Sequence, residues 1–278
     1  MRYCITPEMG RGGPSSGFRA QWGASDVILA GTLLAVMVIA IATMCAVPKL
    51  ARRSVLYDLV PDPPLAFGYK MSWIAILTTD TEAVLDALGV SGETVSNWNN
   101  GIGTIYDPWL GPDRLFVSPP VDGWTFVIGL ALPHPVGPGQ ADKCTPLMTR
   151  LSRVFVDVQY YFSYPALDFF AWVRFREGHL LRAFANSGGD VIWSKGQISR
   201  AEQALGLKLF ELRGVKGRTG DVGGEILLAP TQDQVMQVAR AWSRDPTTLG
   251  ACDAKPALGY IVPAPVAWRA ERLTRTAA

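Results

Sequence analysis

The sequence predicts an α+β fold, with a largely antiparallel sheet and short packed helices, preceded by one transmembrane helix. Two observations predict the α+β part: candidate strands follow one another in hairpin-like pairs, and short capped helical segments separate these pairs. A third observation predicts the membrane helix, since one long segment near the start is apolar and carries no charge.

The uncharged segment begins at Val27 and ends at Val47. As a helix it spans roughly 31 Å, which matches the hydrocarbon core of a bilayer. A buried helix of a globular domain is one alternative, but its solvated face usually carries more polar residues than Thr32, Thr43 and Cys45. A cleaved signal peptide is another, but its apolar core is usually shorter. We therefore expect an uncleaved anchor in the lipid bilayer.

Basic residues on the two sides of this segment predict its orientation. Lys49, Arg52 and Arg53 follow it closely, whereas Arg11 and Arg19 precede it. Cytoplasmic flanks carry the excess of Lys and Arg, so the large C-terminal part is predicted to lie in the cytoplasm.

Composition predicts five consecutive regions. Residues 1–26 are rich in Gly, Ser and Arg and are expected to be a disordered tail before the membrane helix, 27–47. Residues 48–66 form a Pro-rich linker, 67–250 the α+β globular domain, and 251–278 a C-terminal tail that frays.

Predicted strands combine β-branched and aromatic residues between turn signals. In 169–176 the later residues alternate apolar and basic, which indicates that one sheet face is in water. The Pro and Asp-Gly residues of 119–123 favour a hairpin turn. The predicted strands are 69–77, 114–118, 124–132, 159–162, 169–176, 179–185 and 190–193.

Capping signals predict the helices. The spacing of a capping box occurs three times, and Thr145-Pro146 is a good helix start. Residues 97–107 are ambiguous, since apolar residues fit a helix face but Gly101 and Gly103 weaken it. The three capping boxes are Thr79/Glu82, Ser199/Glu202 and Thr231/Gln234.

The net charge and the small number of potential metal-binding side chains argue against nucleic-acid, metal and cofactor binding. The 26 basic and 24 acidic residues nearly cancel without a basic block, so no nucleic-acid partner is expected. Two histidines and no CxxC pair predict no metal site, and no cofactor is expected. Cys144 and Cys252 are the cysteines that can meet in the folded domain, and their spacing does not decide whether they pair.

Catalytic motifs are also missing from the sequence. The glycine-rich stretch 214–224 lacks the Gly-Lys-Ser/Thr end of a P-loop, and neither G-x-S-x-G nor HExxH occurs. Asp168 and His179 flank a predicted strand and hairpin, so an acid–base pair across it is the best enzymatic hypothesis. This alternative is a hydrolase-like enzyme that uses scattered carboxylates and His179.

Aromatic residues favour a binding or protein-interaction domain instead. Most of the tryptophans are expected in the core. Tyr106, Trp109 and Trp124 lie near aspartates that are expected on loops, and aromatic residues commonly anchor interfaces. These three residues are the predicted binding residues.

Four segments resemble an uncharacterised group of bacterial proteins: Ala66 to Trp73, Ser118 to Trp124, Gln159 to Trp172, and Leu181 to Phe184. The resemblance covers roughly Phe67 to Pro246. It implies one bacterial domain, to which the membrane anchor is an addition, and it implies no activity, cofactor or site residue. With the anchor, it predicts a single-pass protein of the bacterial inner membrane.

Overall fold

The computed structural model describes residues 24–50, 57–137, 140–206 and 230–268. The chain divides into two units, Met1–Leu56 and Tyr57–Ala278. The predicted tail, 1–26, lies almost entirely outside the described residues, as does the glycine-rich stretch 214–224.

The described part of the first unit is a helix, α1, Ala24–Leu50. Its backbone includes the whole of 27–47, and its large described apolar side chains are 52% to 80% exposed. No helix is both long and apolar enough to cross a membrane when the side chains that the structure describes are counted. Along α1 the structure describes every consecutive side chain only from residue 31 to residue 44. The membrane span therefore stays a proposal.

The second unit is built on one antiparallel sheet of nine described strands. Each of the seven predicted strands overlaps one of them, so the α+β class with a largely antiparallel sheet is confirmed. The order across the sheet is β2-β9-β3-β4-β1-β5-β6-β7-β8. The strands are β1 Met71–Leu77, β2 Thr94–Ser96, β3 Arg114–Val117, β4 Trp124–Ile128, β5 Asp157–Tyr164, β6 Phe169–Arg176, β7 His179–Ser187, β8 Asp190–Gly196 and β9 Gly259–Pro263.

Helices cover both faces of this sheet. Apolar residues of α2 and α4 belong to one core layer, and those of α3 and α6 belong to the other, against which α5 also packs. The expectation of a wet face is therefore wrong. Arg174 tolerates partial burial because its guanidinium pairs with Asp157 and lies over the ring of Trp242. The helices are α2 Thr81–Leu88, α3 Trp98–Tyr106, α4 Cys144–Val154, α5 Arg200–Ala204 and α6 Gln232–Trp242.

Local capping explains where the helices begin. The predicted boxes at Ser199/Glu202 and Thr231/Gln234 are confirmed in both directions of hydrogen bonding. The prediction of a capping box at Thr79 and Glu82 is wrong. The N-cap of α2 is Asp80, whose carboxylate accepts from the Ala83 N–H at 2.9 Å.

The hairpin between β3 and β4 also forms as predicted. Asp122 and Gly123 both have positive φ. Positive φ at both central residues is the conformation of a primed hairpin turn. The backbones of Val121 and Trp124 exchange hydrogen bonds across the turn.

The predicted C-terminal tail contains a central strand. β9 lies between β2 and β3, and Ile261 and Val262 are fully buried in opposite core layers. The tail prediction for 251–278 therefore needs correction: buried pairing with distant strands holds 259–263, and nothing local in its sequence reveals those partners.

The end of the predicted linker belongs to the second unit. The Asp62 carboxylate accepts from the Trp98 N–H at 2.6 Å and from the Asn99 N–H at 2.8 Å. These bonds place an anion at the N-terminus of α3, where it is stabilised by the helix dipole. Asp62 also forms a β-bridge with Ala257. The unit thus begins at Tyr57 instead of Phe67.

Candidate functional site

Asp168 and His179 do not form a site together. Asp168 comes immediately before β6, next to Gly188, whereas His179 pairs with Arg176 where β6 ends. The whole of β6 separates them. At the rise of a β-strand, β6 alone is roughly 23 Å long, so at least that distance along the hairpin separates the two residues. The hypothesis of an acid–base pair is therefore wrong, because the two residues flank a long strand on opposite ends.

The predicted binding residues also divide between two ends of the sheet. Trp124 starts β4 opposite Leu77, and it is partly buried against the core. Tyr106 lies at the other end, because its hydroxyl contacts the segment that leads into β1. Trp124 is therefore not part of one surface with Tyr106 and Trp109.

Tyr106 is held in place by the backbone before β1. Its hydroxyl accepts from the Gly68 N–H at 3.2 Å and donates to the Tyr69 carbonyl at 2.9 Å. Partial burial raises the pKa of Tyr106, so the hydroxyl keeps the proton that it donates. The ring remains 42% exposed on a fixed support.

Trp109 is presented by a hydrogen-bonded turn after α3. The Asp107 carboxylate accepts from the Trp109 N–H at 2.8 Å and from the Leu110 N–H at 3.0 Å, as aspartates in turns commonly do. The Asp107 carbonyl accepts from Gly111 N–H at 2.8 Å. Trp109 is 84% exposed, more than any other large apolar side chain that the structure describes.

Tyr69 joins this end of the sheet, although its sequence context indicates a strand. It lies between Gly68 and Lys70, which both have positive φ, so the chain turns before β1 begins. Its ring is 43% exposed, and its hydroxyl donates to the Asp233 carboxylate at 3.2 Å. Slight burial and this carboxylate raise the pKa of Tyr69. We call Tyr69, Tyr106 and Trp109 the aromatic surface.

A cluster of polar side chains is buried under α5. The Glu202 carboxylate accepts from the Trp172 indole N–H at 2.9 Å, from Arg182 Nε at 2.8 Å and from Ser199. Glu202 and Arg182 are almost completely shielded from solvent. This arrangement fastens a short helix to the sheet and offers no open space for a substrate.

Other features of the described chain add no catalytic centre. A cleft of about 380 Å³ lies at the end of α4, between Arg153, Phe155 and Glu177, but none of the predicted site residues lines it. In the described part of the chain, no three His, Cys, Asp or Glu residues are grouped to hold a metal ion. Cys144 and Cys252 are both free. Comparison of the chain with protein-family models, with curated proteins and with solved structures found no match.

Proposed function

We propose that this chain is a single-pass protein of the bacterial inner membrane whose cytoplasmic α+β domain binds a protein partner through the aromatic surface. The observation that carries the proposal is the exposure of Trp109, at 84%, on a turn fixed by Asp107. Tryptophan is among the residue types most enriched at binding hot spots.

Rigidity makes this exposure useful for binding. A flexible tryptophan loses conformational freedom when a partner immobilises it, whereas the turn at Asp107 holds the backbone of Trp109 in advance. Tyr106 is fixed through its hydroxyl in the same way, and Tyr69 adds a third ring. Aromatic anchors with few rotatable bonds supply contact area at low entropic cost.

The anchor is supported by the side chains of α1. From Ala24 to Leu50 the helix is about 40 Å long by its rise per residue. Its described large residues are exposed and apolar on all sides, as in helices that lipid surrounds. The hydroxyls of Thr32 and Thr43 donate to carbonyls of the same helix. Such internal bonding satisfies polar groups where water is absent.

Binding is tested by site-specific photo-crosslinking in living cells. A crosslinker at Pro108 should capture a discrete partner, and the substitution Trp109→Ala should reduce that product at least about tenfold, as expected for a hot spot. Val266→Ala is the matched control, because Val266 is 75% exposed outside the aromatic surface. A product unchanged by Trp109→Ala would overturn the proposal.

Anchoring is tested separately by membrane fractionation. The substitution Ile39→Arg places a charge in the middle of α1, at a cost of about 3 kcal/mol for insertion, and should reduce the membrane-bound fraction. Ile39→Leu should leave it unchanged. A reporter fused after Ala278 should be active in the cytoplasm, and reporter activity on the other side of the membrane would reverse the orientation.

A further inference from the structure

The aromatic surface has an exposed carboxylate beside its rings. Asp233 lies in the first turn of α6 and accepts from the Tyr69 hydroxyl at 3.2 Å. An ionised carboxylate has acceptor positions for several donors, and one phenol hydroxyl uses only one of them. Asp233 can therefore also pair with a cationic group that lies against the Tyr69 ring.

The hydrogen bond to Asp233 also changes the Tyr69 ring. A phenol that donates to a carboxylate gains electron density on its oxygen and on its ring, so the face of the ring becomes more negative. A cation over the face of an aromatic ring is attracted by this negative charge. The ring and the carboxylate therefore favour the same kind of ligand.

Trp109 adds the ring type that attracts cations most strongly. Its side chain is largely exposed, and the turn at Asp107 fixes its backbone. In the part of the chain that the structure describes, cation–π contacts join Arg174 with Trp242 and Arg182 with Phe184, away from the aromatic surface. The face of Trp109 is therefore open to a cation from a partner.

The charge balance around these rings is negative. In the segments that form the aromatic surface, 68–70, 106–114 and 231–235, three residues are acidic and two are basic. The C-terminal end of α3, which carries a partial negative charge, lies at Tyr106. A basic partner is complementary to this balance, whereas an acidic partner is repelled. The charged residues are Asp107, Asp113 and Asp233, with Lys70 and Arg114.

We propose that the partner protein presents a basic segment with arginines to the aromatic surface. One guanidinium pairs with the Asp233 carboxylate beside the Tyr69 ring, and a second lies over the face of Trp109. Arginine fits better than lysine, because its planar guanidinium stacks on aromatic rings and binds a carboxylate through two N–H groups. The inference rests on the proposed function, since it names the chemistry of the partner that this function requires.

The photo-crosslinker at Pro108 also tests the chemistry of the partner. Asp233→Asn removes the charge at nearly constant shape, and it should reduce the yield of crosslinked product by about three- to fivefold. Glu93→Gln is the matched control, because it removes an exposed carboxylate outside the aromatic surface. It should leave the yield unchanged.

Two substitutions of Trp109 separate a cation–π contact from an apolar contact. Leucine and phenylalanine both keep a large apolar side chain, but only phenylalanine has a π face. Trp109→Phe should therefore retain about threefold more product than Trp109→Leu, since an exposed cation–π contact is worth about 0.5–1 kcal/mol. A purely apolar contact predicts equal yields.

Salt provides a test that needs no variant. In detergent-solubilised membranes, raising the NaCl concentration from about 0.05 M to about 0.5 M should reduce the yield from the wild-type sequence by about threefold, because salt screens exposed charge pairs. Mass spectrometry of the crosslinked partner peptide should find arginine close to the crosslinked residue.

The possible failures are distinguishable. A product that depends on Trp109 but neither on Asp233 nor on salt would overturn the inference and leave the proposed function standing, as expected for an apolar partner. A crosslinked peptide without arginine would also overturn the inference alone. A product unchanged by Trp109→Ala, a crosslinked lipid or the absence of any product would overturn the proposed function and the inference together.

Discussion

Two glycines in α3 show how packing reverses a local preference. A Cβ on Gly101 would overlap the ring of Phe116, whereas a Cβ on Gly103 would meet open space. Gly101→Ala should therefore lower the free energy of unfolding by about 1–3 kcal/mol through overpacking. Gly103→Ala should raise it by up to about 1 kcal/mol, because alanine is the better helix former.

Urea unfolding followed by tryptophan fluorescence measures both variants. Equal effects of the two substitutions would contradict the close approach of α3 to the sheet. The contact between Gly101 and Phe116 explains why 97–107 is ambiguous in the sequence. Gly101 and Gly103 weaken a predicted helix equally, and the Phe116 ring that leaves no room for a Cβ at Gly101 lies on another element, β3.

Cys144 predicts a dependence of stability on alkaline pH. Complete burial, with a smaller contribution from Asp142, raises the pKa of this thiol far above its ordinary value of 9.0. Above that ordinary value the unfolded chain releases this proton while the folded chain retains it, so the free energy of unfolding should fall as pH rises. The slope should approach about 1.4 kcal/mol per pH unit.

Substitution isolates this contribution. Cys144→Ala should flatten the stability profile between about pH 9 and 10, just above the ordinary thiol pKa. Met148→Leu, a volume-conserving change at a buried residue of α4 that does not titrate, should leave the slope unchanged. Profiles with the same slope in both variants would show that the Cys144 thiol is not the group responsible. Tyr160 and Tyr161, whose pKa values burial also raises, contribute above their ordinary value of 10.0.

At the scale of elements, α5 depends on one carboxylate. The helix runs only from Arg200 to Ala204, too short to be stable alone, and Glu202 connects it to Trp172 and Arg182 on the sheet. Glu202→Gln would leave the Arg182 charge buried without its counter-ion. We expect a loss of about 3–5 kcal/mol in the free energy of unfolding.

The control for this substitution is Glu93→Gln, at an exposed position between α2 and β2. It should change stability by less than about 0.5 kcal/mol. If Glu202→Gln were equally harmless in thermal unfolding, the ion pair with Arg182 would not be what holds α5.

Elements that depend on neighbours in sequence are the predictable ones. The box of Ser199 and Glu202 works within one turn, so its spacing suffices to recognise it. The same spacing misleads at Thr79, because Asp80 is an equally good cap one residue later. The spacing of Ser199 and Glu202 also does not reveal that the Glu202 carboxylate reaches across to the sheet.

At the scale of the whole molecule, the order of strands decides which site residues meet. Tyr106 and Trp124 are fairly close in the chain, but Trp124 starts β4 at the end of the sheet opposite to Tyr106. Tyr69 is far from Trp109 in sequence and joins the same end through Tyr106. The candidate surface therefore follows from topology, which composition and local spacing do not determine.

The position of β9 gives the strongest prediction about the whole fold. Deleting residues 256–278 removes β9, so β2 and β3 lose their shared partner, and both core layers lose a fully buried aliphatic residue. Core losses of this kind cost several kcal/mol each, against a total stability of about 5–15 kcal/mol. We expect the second unit of the truncated chain to unfold. A chain that ends after Trp268 keeps all nine described strands and should resist proteolysis like the full-length protein in detergent. Equal protease resistance of the two truncated chains would mean that 259–263 is dispensable to the sheet.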